Sequence, residues 1–123
     1  MPERILVVED DERSRRLLRD VLSHHGYEVA AFGSAEAALD DVAATAPALA
    51  LLDIQLPGLS GYELLPRLRA SCGAALPALA VTASVMDADR RKIIDAGFDA
   101  YVAKPVNIRQ LLDLIASILR KPG

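Results

Sequence analysis

Short apolar runs alternate along the chain with longer stretches whose apolar residues recur at helical spacing. The runs are Ile5 to Val8, a weaker Glu28 to Phe32, Ala48 to Leu52, Leu76 to Val81 and Ala100 to Ala103. Each has strand length, and several are apolar at successive positions, as strands buried on both faces must be. Between the first two, Arg13 to His25 places Leu17, Leu18, Val21 and Leu22 on one face, and Gly26 is set to end the helix in the left-handed conformation. Ser34 caps a second helix with Glu36 in its first turn, and Ala46 and Pro47 stop it. Ser60 and Glu63 make a capping box for a third, in which Pro66 removes a backbone hydrogen bond and is expected to bend the axis. A fourth helix is predicted over Asp87 to Ala96, ended by Gly97. A fifth runs over Ile108 to Leu119, with Leu111, Leu112, Ile115 and Leu119 as its buried stripe.

Strands separated by helices predict one doubly wound α/β domain, a mostly parallel sheet covered on both faces by right-handed crossovers. No repeat, low-complexity tract or linker interrupts residues 1–123, and Lys121, Pro122 and Gly123 follow directly on the last helix, so a single domain with no output domain is expected. With aromatics at 4%, the core is built from Leu, Val, Ile and Ala, and Tyr101 becomes a residue to explain. A net charge of -3 repels a nucleic-acid backbone, so no DNA or RNA partner is expected. The single Cys72 forms no internal disulfide, and His24 and His25 are too few for a zinc site. No apolar run approaches the roughly 20 residues of a membrane span, and Met1 leads into the first strand without a signal-peptide region. A cytoplasmic location without membrane partners is expected.

Ligands of open α/β sheets bind beyond the carboxyl ends of the strands. Here the first strand ends in Glu9, Asp10 and Asp11, the third in Asp53, the fourth in Thr82, and the fifth runs into Lys104 and Pro105. Carboxylates gathered at one mouth repel one another, and a hard divalent cation with oxygen ligands, magnesium above all, relieves that repulsion. Taken singly, each residue has an ordinary role: Asp10 and Asp11 as helix caps, Thr82 as a strand-end hydroxyl, Lys104 as a solvated cation. Their joint placement sets them apart. The simplest role for Arg13, Arg15, Arg16 and Arg19 is a solvated helix face.

In five segments, Ile5 to Asp11, Leu51 to Gly61, Val81 to Ala83, Ala96 to Gly97 and Tyr101 to Pro105, the chain resembles the receiver domains of response regulators. That resemblance implies a flavodoxin-like fold, as in the chemotaxis regulators, with strand order 2-1-3-4-5. It implies that Asp53 accepts a phosphoryl group, that Asp10 ligates magnesium directly and Glu9 through water, and that the backbone carbonyl of Gln55 completes the protein ligands; Asp11 belongs to the helix start. Thr82, the amide of Ala83 and Lys104 would hold the phosphoryl oxygens, and a cis Lys104–Pro105 bond would aim the lysine into the site. Thr82 and Tyr101 would form a switch read by a downstream protein on the face made by the fourth helix, fifth strand and fifth helix.

The phosphodonor implied is a sensor histidine kinase or a histidine phosphotransfer protein. The segment Val81 to Met86 is similar to single-domain cell-cycle regulators and to receivers of hybrid histidine kinases, and Met1 near the first strand favours a free-standing protein. Ala48 and Gln55 depart from the commonest pattern without removing a side chain the chemistry needs. Two other classes fit less well. A flavin domain of this topology needs a phosphate loop where Glu9 to Asp11 stand, and a dehalogenase-type aspartyl-phosphate phosphatase needs an Asp where Gln55 stands. A pseudo-receiver would lack an acid, the acceptor or the lysine.

Overall fold

The computed structural model describes residues 3–83 and 86–120. Its strands are β1 (Arg4–Val8), β2 (Glu28–Phe32), β3 (Leu49–Asp53), β4 (Ala78–Thr82) and β5 (Ala100–Ala103). The helices between and after them are α1 (Glu12–His24), α2 (Ala35–Thr45), α3 (Gly61–Cys72), α4 (Asp87–Asp95) and α5 (Ile108–Arg120). All strand pairs are parallel and the sheet order is β2-β1-β3-β4-β5, the expected topology. Ser84 and Val85 of the segment Val81 to Met86, Met1, and the tail Lys121 to Gly123 lie outside the described residues.

The two faces of the sheet carry separate cores. Leu6, Val8, Ala50, Leu52, Ala78 and Ala80 pack against α2 and α3, with Ile93 and Phe98 joining from the α4 side. Ile5, Val7, Leu49, Leu51, Leu79, Val81 and Val102 pack against Leu18, Leu22, Leu111 and Ile115 of α1 and α5. Strict alternation explains the split: consecutive strand residues point to opposite faces, and both faces of β3 and β4 are covered. Each fully buried Leu, Ile or Val contributes roughly 1.5–3 kcal/mol of transfer free energy.

One expectation is corrected. Leu17 does not share the buried face of α1; it is 54% exposed at the rim of a cavity lined by Lys104, Pro105 and Ile108. The residues α1 buries are Leu18 and Leu22. Pro66 lies inside α3, which runs from Gly61 to Cys72. Proline stands on the exposed side of the helix, where water can serve the carbonyl that its missing N–H leaves unbonded.

Helix ends follow the capping residues. Ser34 accepts from the Ala37 N–H at 3.1 Å, and Ser60 and Glu63 complete their capping box at 3.2 and 3.1 Å. The Lys104–Pro105 bond is cis.

Candidate active site

Asp53 is the last residue of β3, 3% exposed, at the carboxyl edge of a central strand. Its Oδ1 accepts from the N–H of Gln55 at 2.9 Å and its Oδ2 from Lys104 Nζ at 2.7 Å. Lys104 also reaches Glu9 Oε1 at 3.2 Å. One lysine therefore bridges two carboxylates that arrive from β1 and β3. The register that brings them together is fixed by pairing: Val8 lies opposite Leu52, so Glu9 and Asp53 follow at the same edge.

Glu9, Asp10 and Asp53 place carboxylate oxygens within 4.8 Å of one another, the first and last buried and Asp10 exposed. The second oxygen of Glu9 is buried and meets no hydrogen-bond partner. Burial is the main cause that pushes the Glu9 carboxyl up to about 8; the hydrogen bond and charge of Asp53 add to it, and Lys104 opposes it. Burial alone would lower the Lys104 ammonium, but the hydrogen bond and charge of Asp53, then Glu9, hold it above the ordinary lysine value. Three acids, one of them Glu9 with its orphaned buried oxygen, form a donor set that fits a divalent cation with oxygen ligands, which would hold Glu9 ionised.

This has a measurable consequence. Because Glu9 keeps its proton in the folded state up to about pH 8 but loses it near 4.5 when unfolded, the folded state binds more protons across that window. Stability is therefore expected to fall as pH rises through it in chelator. Urea midpoints measured in EDTA between those limits should decline, and Glu9→Gln should remove most of the slope; a midpoint that climbs with pH would contradict the burial of an uncompensated carboxyl.

Asp11 takes no part in the cluster. It N-caps α1, accepting from the Ser14 N–H at 2.9 Å, and that bond holds its carboxyl below the usual range. Thr82 closes β4 and is 5% exposed. It lies opposite Ala103, and Ala80 opposite Tyr101, so Thr82 and Tyr101 are diagonal neighbours on one face of the sheet. Tyr101 is half-buried against the α2/α3/α4 core, on the face opposite the cavity that Lys104 lines. Gln55 is exposed, and Ala83 follows Thr82 directly.

An open groove of about 690 Å³ runs over Asp10, Gln55 and Thr82, walled by Tyr62 and Lys92. On the other side, an apolar cavity of about 220 Å³ lies between α1 and the start of α5 and reaches Glu9, Asp53 and Lys104. Two positioning residues escaped the sequence. Arg15 turns inward and donates to the Glu9 carbonyl at 2.9 Å, fixing the backbone that carries the acid pair. Gly61 begins α3 so close to β3 that a Cβ there would stand 2.6 Å from the Asp53 carbonyl oxygen. Nothing in the sequence distinguishes Arg15 from its neighbouring arginines, whereas Gly61 closes the Leu51 to Gly61 segment.

Comparison with known proteins decides the family. The response regulator receiver domain family matches residues 5–116. This chain belongs to that family.

The receiver domain is 36% identical over 120 residues to the polar-differentiation response regulator DivK of Brucella anthropi, covering 97% of this chain and 98% of that protein. It is 40% identical over 121 residues to the response regulator MprA of Mycolicibacterium vanbaalenii, covering 98% of this chain but spanning only 52% of MprA's length. Among solved structures, it superposes with a TM-score of 0.86 at 28% identity on the receiver domain of the sensor histidine kinase PA1611 from Pseudomonas aeruginosa, covering 97% of this chain and 98% of that one. That crystal structure holds a magnesium ion coordinated in its active-site cleft. The receiver is a phosphoryl-accepting module of two-component signalling, and no helix among the described residues is long and apolar enough to cross a membrane.

Proposed function

We propose that Asp53 accepts the phosphoryl group, from the phosphohistidine of a sensor histidine kinase or a histidine phosphotransfer protein. The observation that carries this is the Asp53 carboxylate itself: buried, held by Lys104 Nζ at 2.7 Å and the Gln55 N–H at 2.9 Å, and flanked by two further acids. A carboxylate oxygen of Asp53 forms the new bond to phosphorus, the phosphorus–nitrogen bond of the donor breaks, and the imidazole nitrogen leaves with the electron pair. Such a transfer depends on positioning and charge neutralisation rather than on an acid or base.

Asp10, Asp53 and the backbone carbonyl of Gln55 would hold magnesium directly and Glu9 through water, and the bound ion would neutralise charge on the phosphoryl oxygens. Lys104 pairs with one of those oxygens, and the Thr82 hydroxyl and Ala83 amide donate to the others. The domain catalyses only its own phosphorylation and dephosphorylation. Thr82 moving toward the phosphoryl group vacates space for its diagonal neighbour Tyr101, and the surface of α4, β5 and α5 changes for a downstream protein in the cytoplasm. The DivK likeness over nearly full length supports a free-standing regulator, and the PA1611 and MprA likenesses support a receiver carried on a longer protein. The natural reading frame distinguishes the two.

The test is an NMR titration with magnesium and beryllofluoride as a phosphoryl mimic. Shifts are expected to extend from Asp53 through Ala83 to Gly97 and Tyr101 to Ile108, and perturbations confined to the neighbours of Asp53 would overturn the switch. Asp10→Ala is expected to weaken magnesium binding strongly and Asp11→Ala little, since Asp11 is committed to its helix cap. Isothermal titration giving the opposite order would shift the acid register by one residue.

A further inference from the structure

Within α4, Ile93 is fully buried in the core, while Ile94 and the N-cap residue Met86 are 53% and 73% exposed and the Met86 side chain makes no capping bond. Against this background one contact between helices stands out. Lys92 of α4 places its ammonium 4.6 Å from the ring centroid of Tyr62, the second residue of α3. The same ring meets the edge of Phe98, just beyond α4, at 6.4 Å and 77°. Tyr62 is thus gripped from two sides by the α4 region, and both Tyr62 and Lys92 wall the groove that opens over Asp10 and Thr82.

We propose that Tyr62 is a positioning residue which, through the Lys92 cation–π contact, holds α4 in its resting arrangement and thereby sets how readily the domain responds to phosphorylation. The proposal rests on the switch described above. A helix whose position is to change must break whatever ties it to its neighbours, and a tie present only in the resting state biases the equilibrium toward rest. An exposed cation–π pair shifts such an equilibrium by about two- to fivefold. Lys92 sets its charge over the Tyr62 ring, and the charge of Asp89, also on α4, acts on the same tyrosine and adds to the burial that raises its phenol, so the Lys92 tie depends on ring and charge together.

The beryllofluoride titration is the test, run on wild type, Tyr62→Phe, Tyr62→Leu and Lys92→Met. Lys92→Met retains the aliphatic stem and leaves the Tyr62–Phe98 packing intact, so it reports on the charge even where Tyr62→Leu unfolds. Lys92→Met and Tyr62→Leu are expected to move amides between Ala96 and Val102 toward their mimic-bound positions before any mimic is added, and to lower the half-saturating concentration about two- to fivefold. Tyr62→Phe, which keeps the ring, should titrate like wild type. If wild type shows distal shifts and Lys92→Met titrates identically to it, the tie is refuted and the switch survives. Were wild type to show no distal shifts, both would fall.

Discussion

Asp53→Asn is expected to take up no phosphoryl group from either a small phosphodonor or a protein donor. An asparagine oxygen can still accept from the Gln55 N–H, which Asp53 Oδ1 does at 2.9 Å, so the substitution preserves the local turn. What it removes is the anionic oxygen that would attack phosphorus and the charge facing Lys104 at 2.7 Å. Loss of label with a retained unfolding midpoint is the predicted pair of results, read by intact-protein mass spectrometry and urea titration. Undiminished uptake by this variant would move the acceptor elsewhere.

The second large effect is predicted at a residue with no functional side chain. Gly61→Ala introduces a Cβ that would lie 2.6 Å from the Asp53 carbonyl oxygen and 2.9 Å from the Ile54 Cα. Both obstacles are backbone, so neither can rotate away. Either the start of α3 lifts from β3 or the Asp53–Gln55 turn deforms. Overpacking of this kind costs about 1–3 kcal/mol, and the deformation displaces the Gln55 N–H and carbonyl that flank the acceptor. Stability and phosphorylation rate should therefore fall together, with magnesium affinity weakened. A variant that folds as stably as wild type and phosphorylates normally would show that α3 can start further from the site.

These two substitutions mark where the sequence speaks and where it does not. The strand-end acids, Asp53, Thr82 and Lys104 could be located because a charge that ends a run of buried apolar residues is costly unless something meets it, and the alternation of elements sends all such ends to one edge. The sheet and its helices were legible for the same reason, down to the Ser34 and Ser60 caps. Leu17 and Leu18 are adjacent on α1, and periodicity could not say that Leu18 enters the core while Leu17 stays 54% exposed, because that depends on the volume α5 leaves. Arg15, Gly61 and the Tyr62–Lys92 pair were hidden more deeply. Arg15 acts on a backbone carbonyl, Gly61 through a missing Cβ and Tyr62 through a ring face, and of these only Gly61, which closes the Leu51 to Gly61 segment, leaves a mark along the chain.

The same geometry relates stability to function. Glu9 and Asp53 are buried beside each other with one lysine between them, so the domain in the absence of a cation carries an uncompensated buried acid, and Glu9 is driven up to about 8 as a result. A cation and a phosphoryl group acting there would relieve a cost already present in the fold, and in the proposed switch that relief would bias α4 and Tyr101.

The most direct test is to locate the phosphate on the wild-type chain. After incubation with a small phosphodonor and magnesium, the acyl phosphate is trapped by borohydride reduction and mapped by peptide mass spectrometry. The account predicts a single hydroxylamine-sensitive modification, at Asp53, that fails to form in EDTA. Modification at Asp10, Asp11 or His24 in place of Asp53, or equal labelling with and without magnesium, would contradict it.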